Sequence, residues 1–342
     1  MTRSLFLLCL AALFFSVACE SAPVRRHTHE RLHSTLYLQR SAEYQATCLQ
    51  TYRTATDRLE AALKDPAWTA ETAQTGDIAA LPPAVILDID ETVLDNAPYY
   101  GQVVRKDEDF DLKQWNRWVV RAEAELIAGA GEFIAAAQKA GVAVYLVTNR
   151  DARFEAFTRL NLQRRGISLD PQTDTLLMLR ERPEWKADKR TRRAFIAQTH
   201  RILMLVGDNL NDFTSIEGLD EAARKQVVTA AAAQWSSRWF AIPNPGYGNW
   251  IDDITGDART DEDILNRKYA AIRASTEISD EQMRELMNAA PSGYPVQVIV
   301  DTLTIPTRTD VAPAAQSEEA PAVPQQKESA PPETPPIAPT AN

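Results

Sequence analysis

Three cysteines in 342 residues are too few for a disulfide framework, and two of them, Cys9 and Cys19, fall in the first 20 positions. Basic residues are in deficit as well: 37 Lys and Arg stand against 47 Asp and Glu, a formal charge of −10. That balance argues against a general binder of nucleic-acid polymers or of anionic membrane surfaces. No internal repeat is visible, so no repeat architecture is expected. Long apolar runs are missing too. The one near the start, Leu5 to Val17 behind Arg3, is too short for a comfortable membrane span and reads as the apolar core of a signal peptide.

Residues 1–18 are therefore expected to be a cleaved leader and the chain to be exported. The leader ends Ser16-Val17-Ala18-Cys19, a pattern compatible with a bacterial lipoprotein cleavage site, which predicts a lipid anchor to a membrane through Cys19. A leucine in place of Ser16 would be more typical. Residues 19–34 form a polar linker holding His27, His29 and His33, with Glu30 the carboxylate among them and no cysteine partner nearby, and no metal site is expected there. Cys48 reads as a half-buried helix residue rather than a reactive thiol.

Apolar residues make up 44% of the chain, enough for a sizeable core. From Thr35 to Leu63 they recur at helical spacing, and Asp65-Pro66 closes the helix. Ala84-Val85-Ile86-Leu87, behind Pro82-Pro83, is a continuous apolar run of the kind found in strands buried on both faces. Similar runs occur at Val142–Val147, Leu176–Leu179 and Ile202–Val206. Helical stretches are expected around Leu126–Ala140, Arg153–Arg165 and Lys186–Thr199, the first two stopped by Gly141 and Gly166. Alternating strands and helices predict an α/β fold: a three-layer parallel-sheet core spanning 35–253. A small helical cap would come from the N-terminal helix and the segment after the fourth strand. Residues 254–305 read as a helical extension. Residues 306–342 have nine prolines, no glycine and no aromatic residue, and read as a disordered tail.

Three of the expected strands end in functional groups. The first runs into Asp88-Ile89-Asp90-Glu91-Thr92, the second into Thr148-Asn149-Arg150, the fourth into Gly207-Asp208-Asn209-Leu210-Asn211-Asp212. Residues two apart in extended backbone point the same way, so Asp88 and Asp90 can face one pocket. A helix starting after Asp208 would bring Asp212 back to the same side. Carboxylates gathered this closely need a cation between them or shifted pKa values. An all-oxygen ligand set without His or Cys favours Mg²⁺ over Zn²⁺. Any single Asp here could equally be a turn or N-cap residue; the case rests on their combination.

In order and spacing these blocks resemble the haloacid dehalogenase superfamily. More closely they resemble its bacterial class C acid phosphatases, the lipoprotein e family with four signature aspartates. The likeness also takes in Ser41-Ala42-Glu43-Tyr44, Asp88 through Asn96, Trp115-Asn116-Arg117-Trp118 and Pro243-Asn244-Pro245-Gly246-Tyr247-Gly248-Asn249-Trp250. The resemblance implies a dehalogenase-like fold and hydrolysis of phosphomonoesters, with nucleoside 5′-monophosphates as the expected substrates. It implies Asp88 as nucleophile and Asp90 as general acid. Mg²⁺ would be held by Asp88, Asp208, Asp212 and the main-chain carbonyl of Asp90. Thr148, Asn149 and Arg150 would contact substrate, and Trp115 and Tyr247 would sandwich a base. Its phosphate lysine fits Lys189, followed by Arg192, better than Lys186; the other basic residues of that helix read as a solvated face. The family often has tryptophan where Gln102 follows Gly101.

The implied location is the envelope of a Gram-negative bacterium, as a periplasm-facing or outer-membrane lipoprotein. A homodimer is left open. Two competing readings use the same pocket: an envelope nucleotide- or haem-binding lipoprotein with little turnover, and a phosphotransferase.

Overall fold

A computed structural model describes residues 29–169, 173–274 and 277–288. The expected leader, Cys19, His27, residues 289–305 and the tail at 306–342 lie outside the described residues. The chain divides into two compact units, Met1–Ile272 and Arg273–Asn342. All that follows concerns the first; in the second, the helix Asp280–Asn288 is described. Among the described residues no helix is long and apolar enough to cross a membrane.

The strands in chain order are β1 (Pro83–Leu87), β2 (Leu94–Asp95), β3 (Glu125–Leu126), β4 (Ala143–Asp151), β5 (Leu176–Leu179), β6 (Arg201–Gly207) and β7 (Trp239–Ala241). Five of them form one parallel sheet in the order β5-β4-β1-β6-β7. β1 is central, with Leu87 level with Leu146 of β4 and with Val206 of β6. The chain winds outward from β1 in both directions, so the crevice beside the carboxyl ends of β1 and β6 is the topological switch point. β2 and β3 pair as a separate small antiparallel ribbon.

Alternation along the strands divides the core into two layers. Val85, Leu87, Val144, Leu146, Met204 and Val206 face one side, where Tyr52, Leu59 and Phe133 cover them. Ala84, Ile86, Tyr145, Val147 and Leu205 face the other, under Trp185, Ile196 and Trp239. Leu87 is fully buried, and truncating it to alanine is expected to cost about 2–5 kcal/mol.

Several boundaries differ from the sequence expectation. The single N-terminal helix is two, Leu32–Arg40 and Ala42–Lys64. The break falls at Ser41, whose extended backbone frees its hydroxyl to cap Tyr44 N at 3.1 Å. The second helix buries Tyr44, Cys48, Tyr52, Ala55, Leu59 and Ala62 along one stripe; Cys48 is fully rather than half buried, and burial pushes its thiol up to about 11. Leu126 belongs to β3, and the next helix begins only at Ala130, after Gly129 with φ +90°. A Cβ on Gly129 would come within 2.9 Å of Tyr52, so the turn needs glycine twice over. The helix expected from Lys186 starts at Arg190. β7 was not foreseen, being three residues long at a sheet edge. The helices Asn249–Thr255 and Asp261–Ala271 follow it.

Candidate active site

Asp88 is the first residue past β1, and its N–H extends the ladder by donating to Val206 O at 2.9 Å. The chain then reverses tightly: Ile89 O accepts from Thr92, Val93 and Leu94 N. Glu91 adopts φ +58° to make this turn. A left-handed glutamate costs roughly 1–3 kcal/mol and persists only where its surroundings over-determine it. Here they do. Glu91 N donates to Leu94 O at 2.9 Å, its Oε1 accepts from Asn96 N at 3.0 Å, and its Oε2 accepts from the Tyr247 hydroxyl. Tyr52, from the long helix beneath, donates its hydroxyl to Thr92 O at 2.7 Å and braces the turn from the core.

At the end of β6, Gly207 leads into Asp208 and a tight turn in which Asn209 and Asp212 cap each other, Asn209 N donating to Asp212 Oδ2 at 2.9 Å. Any Cβ on Gly207 would collide with the Asp212 side chain, which is why glycine precedes Asp208. The turn brings Asp212 back beside Asp88. Carboxylate oxygens of Asp88, Asp208 and Asp212 all lie within 4.8 Å of one another. Lys189 Nζ donates to Asp88 Oδ1 and, at 2.5 Å, to Asp212 Oδ1. Thr92 Oγ1 lies 3.4 Å from both Asp88 Oδ2 and Asp208 Oδ1, and Asn244 Nδ2 donates to Asp208 Oδ2 at 2.8 Å.

The electrostatics are those of a crowded acidic pocket. Burial pushes Asp88 up to about 6, Lys189 pulls it back, and Asp212 and Asp90 repel it. Burial, then Asp88 and Asp212, hold Asp208 well above the usual carboxylate range. Burial lowers Lys189, but Asp212 and Asp88 more than offset it, and its ammonium stays protonated. With all three ionised, three carboxylates against one ammonium leave two negative charges among the four groups, the deficit a divalent cation would cancel. The donors are all oxygen, so the set fits a hard cation.

Asp90 points elsewhere. Its carboxylate receives Arg150 Nε (2.9 Å) and Nη2 (2.8 Å) and Asn96 Nδ2 (2.9 Å) on Oδ1, and stands apart from the three converging carboxylates. Thr148 is fully buried; its hydroxyl accepts from Arg150 N at 3.0 Å and lies 3.5 Å from Asp90 Oδ2. It is thus engaged with Asp90's surroundings. Arg150, 3% exposed, spends its guanidinium on Asp90 and Asn96 while lying 5.9 Å over the Trp115 ring.

A cavity of about 410 Å³ opens above these groups. Asp88, Asp90, Lys189, Asp208 and Asp212 line it, with Asn149, Arg150, Trp115 and Tyr247. Every sequence-predicted site residue in the described chain except Thr148 therefore meets at one cavity. Lys189 reaches the aspartates, whereas Lys186 is exposed and contributes its main-chain oxygen to Arg192.

The sequence reading missed several residues. Arg31, Tyr100 and Phe110 also wall the cavity. Arg193, read as part of a solvated face, and Arg192, singled out only through the resemblance, are buried staples. Arg192 donates to Thr148 O, Asn149 Oδ1 and Lys186 O; Arg193 pairs with Glu71 at 2.9 Å and donates to Asn211 O at 2.8 Å. Their spacing from Lys189, three and four residues along one helix face, is the signal that could have found them. Glu91 sits fully buried behind the cavity, and burial, with Asp90 and Asp208 nearby, holds its carboxyl well above the usual range.

A parallel sheet with acidic loops at the switch point, a buried lysine and three converging carboxylates define a dehalogenase-type phosphate site, and comparison with known proteins agrees. A family model described as HAD superfamily, subfamily IIIB (acid phosphatase), matches residues 14–250, and the chain belongs to that family. The class C acid phosphatase from Bacillus anthracis is similar at 30% identity and a TM-score of 0.63, over 73% of this chain and 99% of that one. The same enzyme with tungstate bound matches at 29% identity and the same TM-score. Acid phosphatase 1 of Solanum lycopersicum is 27% identical over 169 residues, 47% of this chain and 57% of that protein. The chain thus spans little more than half the length of this curated relative. The class C resemblance read from the sequence is borne out.

Proposed function

We propose that this chain is a Mg²⁺-dependent acid phosphatase that hydrolyses phosphomonoesters through an aspartyl-phosphate on Asp88. The observation that carries the reading is the placement of Asp88: it stands on the floor of a cavity, gripped by Lys189, with Asp208 and Asp212 within 4.8 Å and Asp90 on the same wall. The Bacillus enzyme binds tungstate, a tetrahedral oxyanion shaped like phosphate, which supports the same use of this cavity.

In the first step an Asp88 oxygen attacks phosphorus and the bond from phosphorus to the ester oxygen breaks. Asp90 gives its proton to the departing alkoxide. In the second, Asp90 takes a proton from water, the water oxygen bonds to phosphorus, and the bond to Asp88 breaks to release inorganic phosphate. Arg150 and Asn96 hold Asp90 at the wall, with Thr148 behind it. Lys189 counters charge on the phosphoryl oxygens and on Asp88. Mg²⁺ held by Asp88, Asp208 and Asp212, and by Asp90's main-chain carbonyl as the resemblance implies, would supply the positive charge that lets an anionic nucleophile meet an anionic phosphate.

The substrate class follows from the upper wall. Trp115 and Tyr247 both line the cavity and are half-buried, the placement expected of rings that receive a flat base, so nucleoside 5′-monophosphates are the proposed substrates. The leader ending at Cys19 supports an envelope location with a lipid anchor. Phosphate release from a panel of monoesters, in chelator and with Mg²⁺ restored, tests the reading. Release that is unaffected by chelator, or absent from every monoester, would overturn it.

A further inference from the structure

Tyr247 is fixed in an unusual way for an aromatic residue on a loop. One face of its ring packs against Tyr100, centroids 5.2 Å apart and planes tilted by 35°. Its hydroxyl reaches down to Glu91 Oε2, and Glu91 is fully buried in the turn that carries Asp90. The other oxygen of Glu91 takes Asn96 N at 3.0 Å, so both its acceptors are occupied by neutral donors and neither oxygen faces the cavity. Asn96 in turn holds Asp90 through Nδ2 and receives Trp118 Nε1 on Oδ1 at 2.7 Å. A continuous chain of hydrogen bonds therefore runs from the tip of Tyr247 through Glu91 and Asn96 to Asp90.

We infer that Glu91 is a positioning residue for substrate selection: by gripping the Tyr247 hydroxyl it pins the ring that receives the planar part of the substrate. This rests on reading Trp115 and Tyr247 as the base slot. The physical reason is conformational entropy. The tyrosine sits half-buried on the loop between β7 and the helix Asn249–Thr255 and, held only at its backbone, would have to be ordered by each arriving substrate. Packed behind by Tyr100 and tied at its tip, it is ordered in advance. The left-handed backbone of Glu91 has the same purpose, since φ +58° is what turns this acidic side chain inward while the neighbouring aspartates face the cavity. The chain Glu91–Asn96–Asp90 further places the ring and the proton donor on one rigid turn.

The test uses the full chain with Mg²⁺ and the variants Tyr247→Phe, which keeps the ring and loses the grip, and Glu91→Gln, which keeps an oxygen acceptor. Two things are measured: the Michaelis constant for a nucleoside 5′-monophosphate relative to that for a small aliphatic phosphate, and hydrogen exchange of the loop amides 246–250. Tyr247→Phe is expected to raise the ratio roughly three- to tenfold, the effect of leaving one side chain to be ordered on binding, and to speed exchange. Glu91→Gln is expected to fall between it and wild type. A Tyr247→Phe protein with wild-type ratio and wild-type exchange would overturn the inference. Tyr247→Ala separates it from the base-slot reading. If alanine raises the ratio and phenylalanine does not, the slot stands and the grip is refuted. If neither raises it, the slot reading itself falls, and faster loop exchange in Tyr247→Phe alone would then support the grip as a purely conformational tether.

Discussion

Lys189 bridges Asp88 and Asp212, donating to one oxygen of each from a buried position in which it is the one ammonium against three carboxylates. It completes the charge of the acidic pocket and, in the function proposed above, would also meet the phosphoryl group. Removing it, as Lys189→Met, is expected to destabilise the metal-free protein by about 3–5 kcal/mol, the usual result of deleting one partner of a buried pair. Added Mg²⁺ should restore much of the stability but little of the turnover. Thermal melts and phosphate-release rates with and without metal check this; a variant of wild-type stability in chelator would contradict it.

The pocket's carboxyls also set a pH dependence. Asp88 at about 6 and Asp208, also raised, protonate more readily folded than unfolded, where an aspartate titrates at about 3.9. Above the folded values both states are ionised and the fold carries the repulsion. Stability of the metal-free protein is thus lost as pH rises through that window and regained as it falls towards the unfolded value. A divalent cation favours the ionised forms and removes the penalty. The rise in melting temperature on adding Mg²⁺ should therefore grow from about pH 5 to about pH 8. A metal-induced shift that is flat across this range would show that these carboxyls are not its ligands.

The Asp90 carboxylate is held by Arg150 and Asn96 away from the three converging carboxylates, and in the function proposed above it would serve as the proton donor while its main-chain carbonyl joins the metal site. Proton donation matters most when the leaving alcohol is a poor one. Asp90→Asn should cut turnover of an alkyl phosphate by about 10²–10⁴-fold and that of a nitrophenyl phosphate much less. Arg150→Lys, which loses the two-pronged grip, should show the same pattern more weakly. Equal losses on both esters would remove Asp90 from the acid role.

Trp115 packs edge-on against Tyr99 with centroids 5.2 Å apart, while Tyr247 rests on Tyr100. Stacking on such a ring contributes about 1–3 kcal/mol per base. Trp115→Ala and Tyr247→Ala should each raise the Michaelis constant for a nucleotide over that for an aliphatic phosphate by roughly tenfold, about 1.4 kcal/mol. Equal losses on the two substrates with a lowered melting temperature would return both rings to a packing role.

Much of this was legible because buried parallel strands announce themselves as unbroken apolar runs and because strand ends mark where function gathers. Asp88, Asp90, Asp208 and Asp212 could be placed from spacing alone, and Lys189 from the resemblance. What escaped was decided by tertiary packing. Nothing local distinguishes Glu91, one acid among several, as the one turned inward; its left-handed backbone is imposed by Leu94, Asn96 and Tyr247. Apolar periodicity runs straight through Ser41, so the helix break there was hidden although a capping serine was present. Arg193 looked like solvent-facing charge, and only the fold shows the Glu71 partner that buries it and the carbonyl partners that bury Arg192 beside it. β7 is too short to carry a period.

The location also admits a direct check. If Cys19 is lipidated, globomycin should block processing of the precursor and Cys19→Ser should release the protein from membranes. A wild-type protein that is wholly soluble in the periplasm without treatment would contradict the anchor.

The central claim is that Asp88 carries the phosphoryl group during turnover. Rapid acid quenching of the Mg²⁺-loaded enzyme with substrate, followed by peptide mass spectrometry, tests it most directly. The account predicts one added phosphoryl group on the peptide containing Asp88, absent from Asp88→Asn, whose turnover is nearly abolished. A phosphoryl group on another residue, or an Asp88→Asn enzyme within about tenfold of wild type, a barrier change of only ~1.4 kcal/mol, would contradict it.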